Sequence, residues 1–314
     1  KNLIQYLDFL FYKEVAYSTL TVIDYKVSIC LFIDGRAIAS SSLGDMRTQR
    51  LLAYIPLLLH PNASSVLNIG LGGGFTLDAI ETFDNVKEID NLEIEPVVIE
   101  AAKNYFSEYN HNALDDKRAN FIVGDARSYM ALTDKKYDVI ISEPSPLLVS
   151  GSPQLFTKEF FELGRKRLNE DGIYSQWVPL YDITPEDFTA IVKTFSLVFP
   201  HAEVWLADSA DAVLTGSINP RENNSEKFVL QFENQKIKEN LDEIWITAAN
   251  FPSLLVLDEN DVRNLTSSGY LINTDDNQLI ETRAPTRMFS NQHGYITSFI
   301  IEKSSRYKGL LNSS

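Results

Sequence analysis

A glycine-rich turn is the strongest chemical signal in this sequence. It follows the apolar run Val66–Ile69 and contains four glycines. They are Gly70, Gly72, Gly73 and Gly74. Glycines let the backbone pass close to a ligand, and the start of the following helix offers unpaired N–H groups. Because Phe75 stands at the last glycine position of G-x-G-x-x-G, the spacing favours the loop of S-adenosyl nucleotide enzymes. A tight strand-to-helix connection without a ligand is the alternative.

Carboxylates follow the next two predicted strands. Glu93 lies about 20 residues beyond the glycine turn, where an acid can accept hydrogen bonds from ribose hydroxyls. Asp125, with Ala126 beside it, ends the third strand, where it can accept from an adenine amino group. Either acid could instead cap a helix or face solvent. Because ligands of open α/β sheets bind at the carboxyl ends of the strands, the series predicts one nucleoside site.

The elements that must position these residues follow from hydrophobic patterning. Short apolar runs alternate with amphipathic stretches from Ser65 onward, which predicts a doubly wound, mainly parallel sheet. Seven strands are expected, at Val66–Ile69, Glu88–Leu92, Ala119–Val123, Tyr137–Ser142, Ile173–Val178, Glu203–Leu206 and Ala212–Thr215. A helix over 47–59 precedes them. Strands at 17–22 and 29–33, the second followed by an Asp34-Gly35 turn, predict a small antiparallel sheet before that helix.

Composition narrows the class of partner. The 314 residues include 28 Lys and Arg against 43 Asp and Glu, a formal net charge of −15. Such a chain repels nucleic acid and attracts cationic substrates. Cys30 is the only cysteine, so no intrachain disulfide is possible, and the four scattered histidines give no metal-site spacing. No apolar run approaches the ~20 residues that span a bilayer, and a cytoplasmic location is expected.

From about Glu14 to Gly216 the chain resembles the polyamine aminopropyltransferases, the family of spermidine and spermine synthase-like proteins. The motifs that carry the resemblance occur in succession. They are Glu14-Val15-Ala16-Tyr17-Ser18, Phe32-Ile33-Asp34-Gly35, Thr48-Gln49-Arg50, the Gly70–Gly74 loop, Leu92-Glu93-Ile94, Gly124-Asp125-Ala126, Tyr137–Glu143 and Leu155-Phe156-Thr157. Three more motifs resemble the branch that is often fused to membrane-spanning segments. These are Gly44–Arg50, Ser142-Glu143-Pro144-Ser145 and Asn273–Asp276. The start at Lys1 then suggests the cytosolic domain of a larger protein.

The resemblance implies an α/β fold, namely a Rossmann-like, seven-stranded methyltransferase (spermidine synthase) core. The expected organisation is an N-terminal β-strand domain over 1–46, a Rossmann-like catalytic domain that binds the S-adenosyl nucleotide over 47–216, and a C-terminal extension of unknown role over 217–314. A homodimer formed through the N-terminal strands is expected. The implied reaction moves an aminopropyl group from decarboxylated S-adenosylmethionine to a cationic polyamine acceptor and releases methylthioadenosine, without a metal.

The resemblance also assigns roles to single residues. Glu143 occupies the position of the family's catalytic Asp, and is therefore expected to be the general base that takes the proton of the attacking amine. Gln49 matches a Gln that contacts the donor nucleotide. Glu93 and Asp125 match the ribose and adenine acids. The nucleotide half of the family's site is therefore intact in this sequence.

The polyamine half departs from the family. Gly73 replaces the loop Asp that holds the donor's aminopropyl ammonium, Pro146 replaces the second acid of Asp-x-x-Asp-Pro, and Thr48 replaces a Tyr beside the reacting centre. Substitute substrate-binding residues are expected among a few acids and one aromatic residue. They are Asp45, Asp208, Asp211, Asp275 and Asp276, with Trp177 as a wall of the pocket. For Asp275 and Asp276 a solvated turn, and for Trp177 core packing, are the structural alternatives.

Two other functions remain open at this point. With glycine at position 73, the donor could be ordinary S-adenosylmethionine, and the reaction would then transfer a methyl or an aminocarboxypropyl group. Alternatively, the domain could be a non-catalytic sensor of nucleotides or polyamines. The segment Leu147–Pro153, with its Gly and Pro, is expected to form a gate over the substrate or, alternatively, a static connection.

Overall fold

The protein is described here by a computed structural model. The described residues are 8–15, 18–149, 151–181, 183–221, 225–267, 269–287 and 293–307. None of the helices in these ranges is both long and apolar enough to cross a membrane.

The N-terminal residues form a four-stranded antiparallel meander. Its strands are β1 (Asp8–Glu14), β2 (Thr19–Asp24), β3 (Ile29–Ile33) and β4 (Arg36–Ser40), paired in that order. The predicted two-residue turn joins β3 to β4, and Asp34 and Gly35 both have the positive φ that such a turn requires. The strand predicted over 17–22 begins at Thr19, and Tyr17 lies outside the described residues. One face of this sheet packs on the core through Leu20, Val22 and Leu31.

The main sheet has eight strands. They are β5 (Ser65–Ile69), β6 (Glu88–Glu93), β7 (Ala119–Val123), β8 (Tyr137–Ser142), β9 (Leu168–Pro179), β10 (His201–Asp208), β11 (Asp211–Ser217) and β12 (Leu255–Leu257). Their spatial order is β12-β10-β11-β9-β8-β5-β6-β7. The five strands from β9 to β7 are parallel, and β11, β10 and β12 extend the sheet by antiparallel pairing. The predicted α/β fold is confirmed, with β12 as an additional edge strand.

Helices cover both faces of this sheet. They are α1 (Leu43–Leu59), α2 (Phe75–Glu81), α3 (Pro96–Tyr105), α4 (Ala126–Leu132), α5 (Lys158–Arg167), α6 (Pro185–Val198), α7 (Ser225–Gln231), α8 (Gln235–Asp242), α9 (Glu259–Thr266), α10 (Leu279–Arg287) and α11 (His293–Lys303). Helix α1 begins at Leu43, before the predicted 47. The expected domain boundary at 46/47 therefore lies inside this helix, and the division into domains stays a prediction.

Strand order reverses at β5, because β6 lies on one side of it and β8 on the other. Ligands of doubly wound sheets bind outside the carboxyl ends of the strands at such a switch point. The backbone is closely packed there. The Gly70 N–H donates to the Leu92 carbonyl at 2.9 Å, and the Glu143 N–H donates to the Ile69 carbonyl at 2.9 Å. Gly70 has a φ of +88°, and a Cβ on it would lie 2.3 Å from the Glu143 carbonyl oxygen.

A buried ion pair fastens the C-terminal region to the helix after the glycine turn. The Arg50 side chain is 0% exposed, and its Nε donates to Asp78 Oδ2 in α2 at 2.8 Å. Its Nη1 donates to Glu243, just beyond α8, at 2.8 Å. Asn240 in α8 donates a further hydrogen bond to Asp78 Oδ2 at 2.9 Å. Side chains of α1 and α8 thus both anchor helix α2.

We expect Arg50→Leu to lower the free energy of unfolding by about 3–5 kcal/mol, because it removes the buried guanidinium from Asp78 and leaves the half-exposed His111 as its ionisable partner. The matched control is Lys103→Leu, which breaks an ion pair with Asp115 in which both side chains are more than half exposed. Its expected effect is within about 1 kcal/mol. Urea unfolding of both variants measures the difference, and equal effects would contradict a structural role for the buried pair.

We expect Gly70→Ala to destabilise the protein by at least about 1–3 kcal/mol more than Gly35→Ala. Both glycines have positive φ, so both substitutions carry the same left-handed backbone cost. Only Gly70 faces a close neighbour, since a Cβ on Gly35 would meet no atom within 4 Å. Denaturant unfolding of the two variants measures the difference. Equal losses of stability would contradict the close approach of the Glu143 carbonyl to Gly70.

Candidate active site

A cavity of about 660 Å³ lies at the carboxyl ends of the central strands. The β3–β4 hairpin covers one side of it through residues such as Ile33 and Ile38. The loops after β5, β6, β7 and β8 form the other side. Because these four loops surround the switch point of the sheet, this cavity is where the fold is expected to bind a ligand. Most of the residues singled out in the sequence border it.

Two of the four loop glycines, Gly70 and Gly72, line the cavity, and both have positive φ. Gly74 also has a positive φ, and it directly precedes the first residue of α2. Gly73 does not line the cavity, because the Phe75 ring fills the space beside it. A Cβ at position 73 would lie 2.5 Å from Phe75 Cε2. The turn therefore offers backbone, and no side-chain carboxylate, to a ligand.

Glu93 borders the cavity at the end of β6 and is only 8% exposed. Its two oxygens accept hydrogen bonds from the N–H groups of Leu71 at 3.0 Å and Glu95 at 2.9 Å. Burial raises the pKa of this carboxyl, although the backbone hydrogen bonds lower it in part. Glu93 thus ties the glycine turn to β6, and each oxygen keeps a second lone pair for a ligand.

Asp125 and Ala126 border the cavity at the end of β7. Asp125 is also the N-cap of α4, since its Oδ1 accepts from the Ser128 N–H at 2.8 Å. Both interpretations of this residue therefore agree with the structure. Capping fixes the carboxylate at the cavity edge, and none of the described residues donates to Oδ2.

Glu143 follows β8 directly and borders the cavity between the loops after β5, β6 and β7 and a second group of acids. Its Oε2 accepts from the Thr76 hydroxyl in α2 at 2.8 Å. Burial raises the pKa of Glu143 to about 8, and the charges of Asp45, Asp211 and Glu93 contribute to the increase. A carboxyl group with this pKa can exchange a proton near neutral pH.

The second group of acids lies on the far side of Glu143. Asp45 in α1 accepts from the Ser40 N–H, and burial raises its pKa to about 6. Asp208 and Asp211, at the β10–β11 turn, also line the cavity. Trp177 in β9 is 7% exposed, and its indole N–H donates to Asp211 at 2.9 Å. The structure thus places Asp45 and Trp177 at the cavity.

Besides Gly73 and Gly74, three predicted residues do not line the cavity. Gln49 is 1% exposed and lies behind Gly72, with its Oε1 about 3.4 Å from where a Cβ on Gly72 would be. Within the described ranges, this Oε1 has no hydrogen-bond partner. Asp275 and Asp276 do not border the cavity, and Asp275 instead pairs with Arg127 at 2.6 Å. The structure therefore does not bring these two acids to the other site residues.

The cavity has further lining residues, of which Arg127 was not singled out in the sequence. Arg127, in the first turn of α4, borders the cavity and donates to the Gln154 carbonyl and the Thr157 hydroxyl at 2.7 and 2.8 Å. Its place directly after Asp125-Ala126 is the signal that could have found it. Cys30 also lines the cavity, and burial raises the pKa of its thiol, so a reactive thiolate is disfavoured. The segment after Glu143 contributes Pro146 and Val149.

Across the described ranges, no three His, Cys, Asp or Glu side chains converge in a way that could hold a metal ion. What the site offers instead is two parts joined at Glu143. One part consists of the backbone of the glycine turn and two carboxylates, groups that can hydrogen-bond to hydroxyl and amino groups of a ligand. The other presents acids and an aromatic ring, which suit a cationic chain.

Curated relatives share this region of the chain. The polyamine aminopropyltransferase of Methanocaldococcus jannaschii is 34% identical over 180 residues, which cover 56% of this chain and 60% of the relative. That of Saccharolobus solfataricus is 32% identical over 194 residues, 60% of this chain and 64% of the relative. The chain thus spans less than two thirds of the length of each.

The fold also matches solved structures. The spermidine synthase of Thermotoga maritima superposes with a TM-score of 0.66 at 22% identity, covering 82% of this chain and 87% of the other. A spermidine synthase in complex with the transition-state analogue AdoDATO gives a TM-score of 0.65 at 23% identity, with the same coverage. The family model described as the spermine/spermidine synthase domain matches residues 45–239, more than half of the chain. The chain therefore belongs to the spermine/spermidine synthase domain family.

Proposed function

We propose that the chain is an aminopropyltransferase that takes its aminopropyl group from decarboxylated S-adenosylmethionine and transfers it to a cationic amine. The observation that carries this proposal is the position of Glu143, a buried carboxyl group between a nucleoside-facing edge and a group of acids. The curated relatives, which are named polyamine aminopropyltransferases, support the same reaction. The predicted dimer, fusion to membrane segments and cytoplasmic location stay predictions.

The nucleoside half would hold the adenosine part of the donor. Glu93 is placed to accept hydrogen bonds from ribose hydroxyls, and Asp125 from the adenine amino group. Gly70 and Gly72 line the cavity in a positive-φ conformation, so the turn would present backbone to the ligand beside these carboxylates. Gln49 supports the turn from behind, and its buried Oε1 could accept from a donor group of the ligand after a small side-chain movement.

The reaction itself is a displacement at carbon. The nitrogen lone pair of the acceptor forms a bond to the carbon next to the sulfonium, the carbon–sulfur bond breaks, and its electron pair stays on sulfur. Methylthioadenosine leaves as a neutral thioether. The proton lost by the attacking nitrogen goes to Glu143, which the Thr76 hydroxyl orients. Holding both reactants in one enclosed cavity supplies much of the rate.

The charge of the cavity favours this donor. Five acids line it, namely Asp45, Glu93, Glu143, Asp208 and Asp211, in addition to the capping Asp125. A sulfonium and an ammonium are stabilised among carboxylates, and they lower the pKa of Glu143 so that it can act as a base. The α-carboxylate of ordinary S-adenosylmethionine would be repelled. Ordinary S-adenosylmethionine nevertheless stays a second candidate donor. With glycine at position 73, the loop has no carboxylate that would repel the α-carboxylate of this donor.

We expect incubation with decarboxylated S-adenosylmethionine and a panel of amines to yield methylthioadenosine, detected by mass spectrometry. Glu143→Gln is expected to lower kcat by about 10²–10⁴-fold, because it removes the proton acceptor, and to leave the Kd for methylthioadenosine unchanged. Glu162→Gln, on the exposed side of α5, is the matched control. Formation of S-adenosylhomocysteine from S-adenosylmethionine, or undiminished turnover in Glu143→Gln, would overturn the proposal.

We expect the unfolding free energy of Glu143→Gln, relative to that of the parent, to increase as the pH rises. A carboxyl whose pKa is about 8 in the folded protein and about 4.5 unfolded costs nothing below pH 4.5, because it is protonated in both states. Its cost to folding grows between these values and is complete above pH 8. The difference in unfolding free energy between variant and parent should therefore rise by roughly 1–4 kcal/mol from pH 5 to pH 9. Urea unfolding across this range measures it, and a constant difference would show that the Glu143 pKa is not raised.

A further inference from the structure

The strand order arranges the cavity residues in a line. Across the sheet from β7 to β11, the residues at this edge follow a fixed order. They are Asp125, Glu93, Gly70, Glu143, Trp177 and Asp211. The nucleoside-facing residues are on one side of Glu143, and Trp177 and Asp211 are on the other. In a displacement the acceptor approaches the carbon from the side opposite the leaving sulfur. The acceptor is therefore expected on the Asp211 side.

We propose that Asp211 binds the ammonium group of the acceptor that does not react, and so selects amines that carry a second positive charge. This inference rests on the proposed function and assigns one residue to the acceptor part of the same cavity. Any of the acids in the cavity would attract a cation. Asp211 differs from the others because surrounding side chains hold both of its carboxylate oxygens in one orientation.

Two neighbouring elements, β9 and α1, position Asp211. Its Oδ1 accepts from the Trp177 indole N–H in β9 at 2.9 Å, and its Oδ2 accepts from the Thr48 hydroxyl in α1 at 3.2 Å. Trp177 pairs with Val213 in the β9–β11 ladder, so Asp211, two residues before Val213, lies on the same face of the sheet. Each oxygen has one protein donor and keeps a lone pair for an ammonium group.

The glycine turn cannot supply this carboxylate. Phe75 is fully buried and packs edge-on against Phe106, with ring centroids 6.1 Å apart. Its ring occupies the space next to Gly73, so an acidic side chain there would collide with it. Pro146, which lines the cavity, has no charge to offer. Among the acids that line the cavity, the two beyond Trp177 in the strand order are Asp208 and Asp211.

The neighbouring aromatic rings suit the chain that would carry the ammonium group. Trp177 and Tyr181 both line the cavity, and their ring centroids are 6.3 Å apart. An aromatic face packs against methylene groups and attracts a nearby cation. The other two acids on this side are held differently. Asp45 accepts from the Ser40 N–H and Asp208 from the Ser209 N–H, whereas side-chain donors fix both oxygens of Asp211.

The test compares two amines of equal chain length, 1,4-diaminobutane and 1-aminobutane, as acceptors for the parent and Asp211→Asn. In the parent we expect the diamine to have at least 10-fold higher kcat/KM. In Asp211→Asn the diamine's KM is expected to rise about 10-fold or more, the donor's KM to stay unchanged, and the preference between the two amines to disappear. Asp208→Asn removes the same charge from the neighbouring turn and is expected to change the diamine's KM less than 3-fold.

Calorimetry makes the result independent of turnover. Diamine is titrated into protein saturated with methylthioadenosine, so failure of the proposed reaction leaves the Asp211 assignment measurable. Weaker diamine binding in Asp211→Asn, and a smaller loss in Trp177→Phe, which keeps the ring and removes the N–H donor, would support the proposal. Unchanged diamine binding in a folded Asp211→Asn, an equal loss in Asp208→Asn, or an effect on the donor alone would overturn it.

Discussion

The close approach of two backbones at the switch point of the sheet determines the geometry of the whole site. The carbonyl of Glu143 occupies the space that a side chain at Gly70 would fill, so the end of β8 lies directly against the glycine turn. From this position the Glu143 carboxyl reaches Thr76 in the helix that the turn begins. The glycine turn that borders the cavity therefore also fixes the group proposed to take the proton. The proposed nucleoside site and the proposed base are joined by this one contact.

Two kinds of buried acid coexist in this protein, and their surroundings explain their different roles. Asp78 is buried but bonded to Arg50 and Asn240, so it holds helices together. The acids of the cavity have hydrogen bonds from hydroxyl, indole and backbone groups, but no cation of the described chain pairs with Glu143 or Asp211. Burial raises the pKa of both. The unbalanced negative charge is a cost to folding that a bound cation would remove, which couples stability to occupancy of the cavity.

The features that could be predicted from the sequence are those that depend on local sequence patterns. Apolar runs located the central strands, and the strand ends placed the glycine turn, Glu93 and Asp125 around one cavity. Strand β12 escaped prediction because three residues are too few for a periodic signal. The pairing of Thr48 with Asp211 joins positions 163 residues apart, and no spacing in the sequence indicates it. Asp275 and Asp276 are close in sequence and acidic, yet Asp275 pairs with Arg127 at the cavity border and neither acid lines the cavity.

The direction of the strands explains why the two halves of the site draw on different parts of the sheet. Parallel strands deliver only their carboxyl ends to this edge, so the nucleoside half is built from residues that follow β5, β6 and β7. Strand β11 is antiparallel to β9, so its first residue, Asp211, lies at the same edge beside Trp177. A short β10–β11 turn thus provides acids at the cavity without altering the glycine turn. The two halves proposed for the nucleoside and the acceptor therefore rest on different parts of the sheet, and the close contact between Gly70 and Glu143 lies between them.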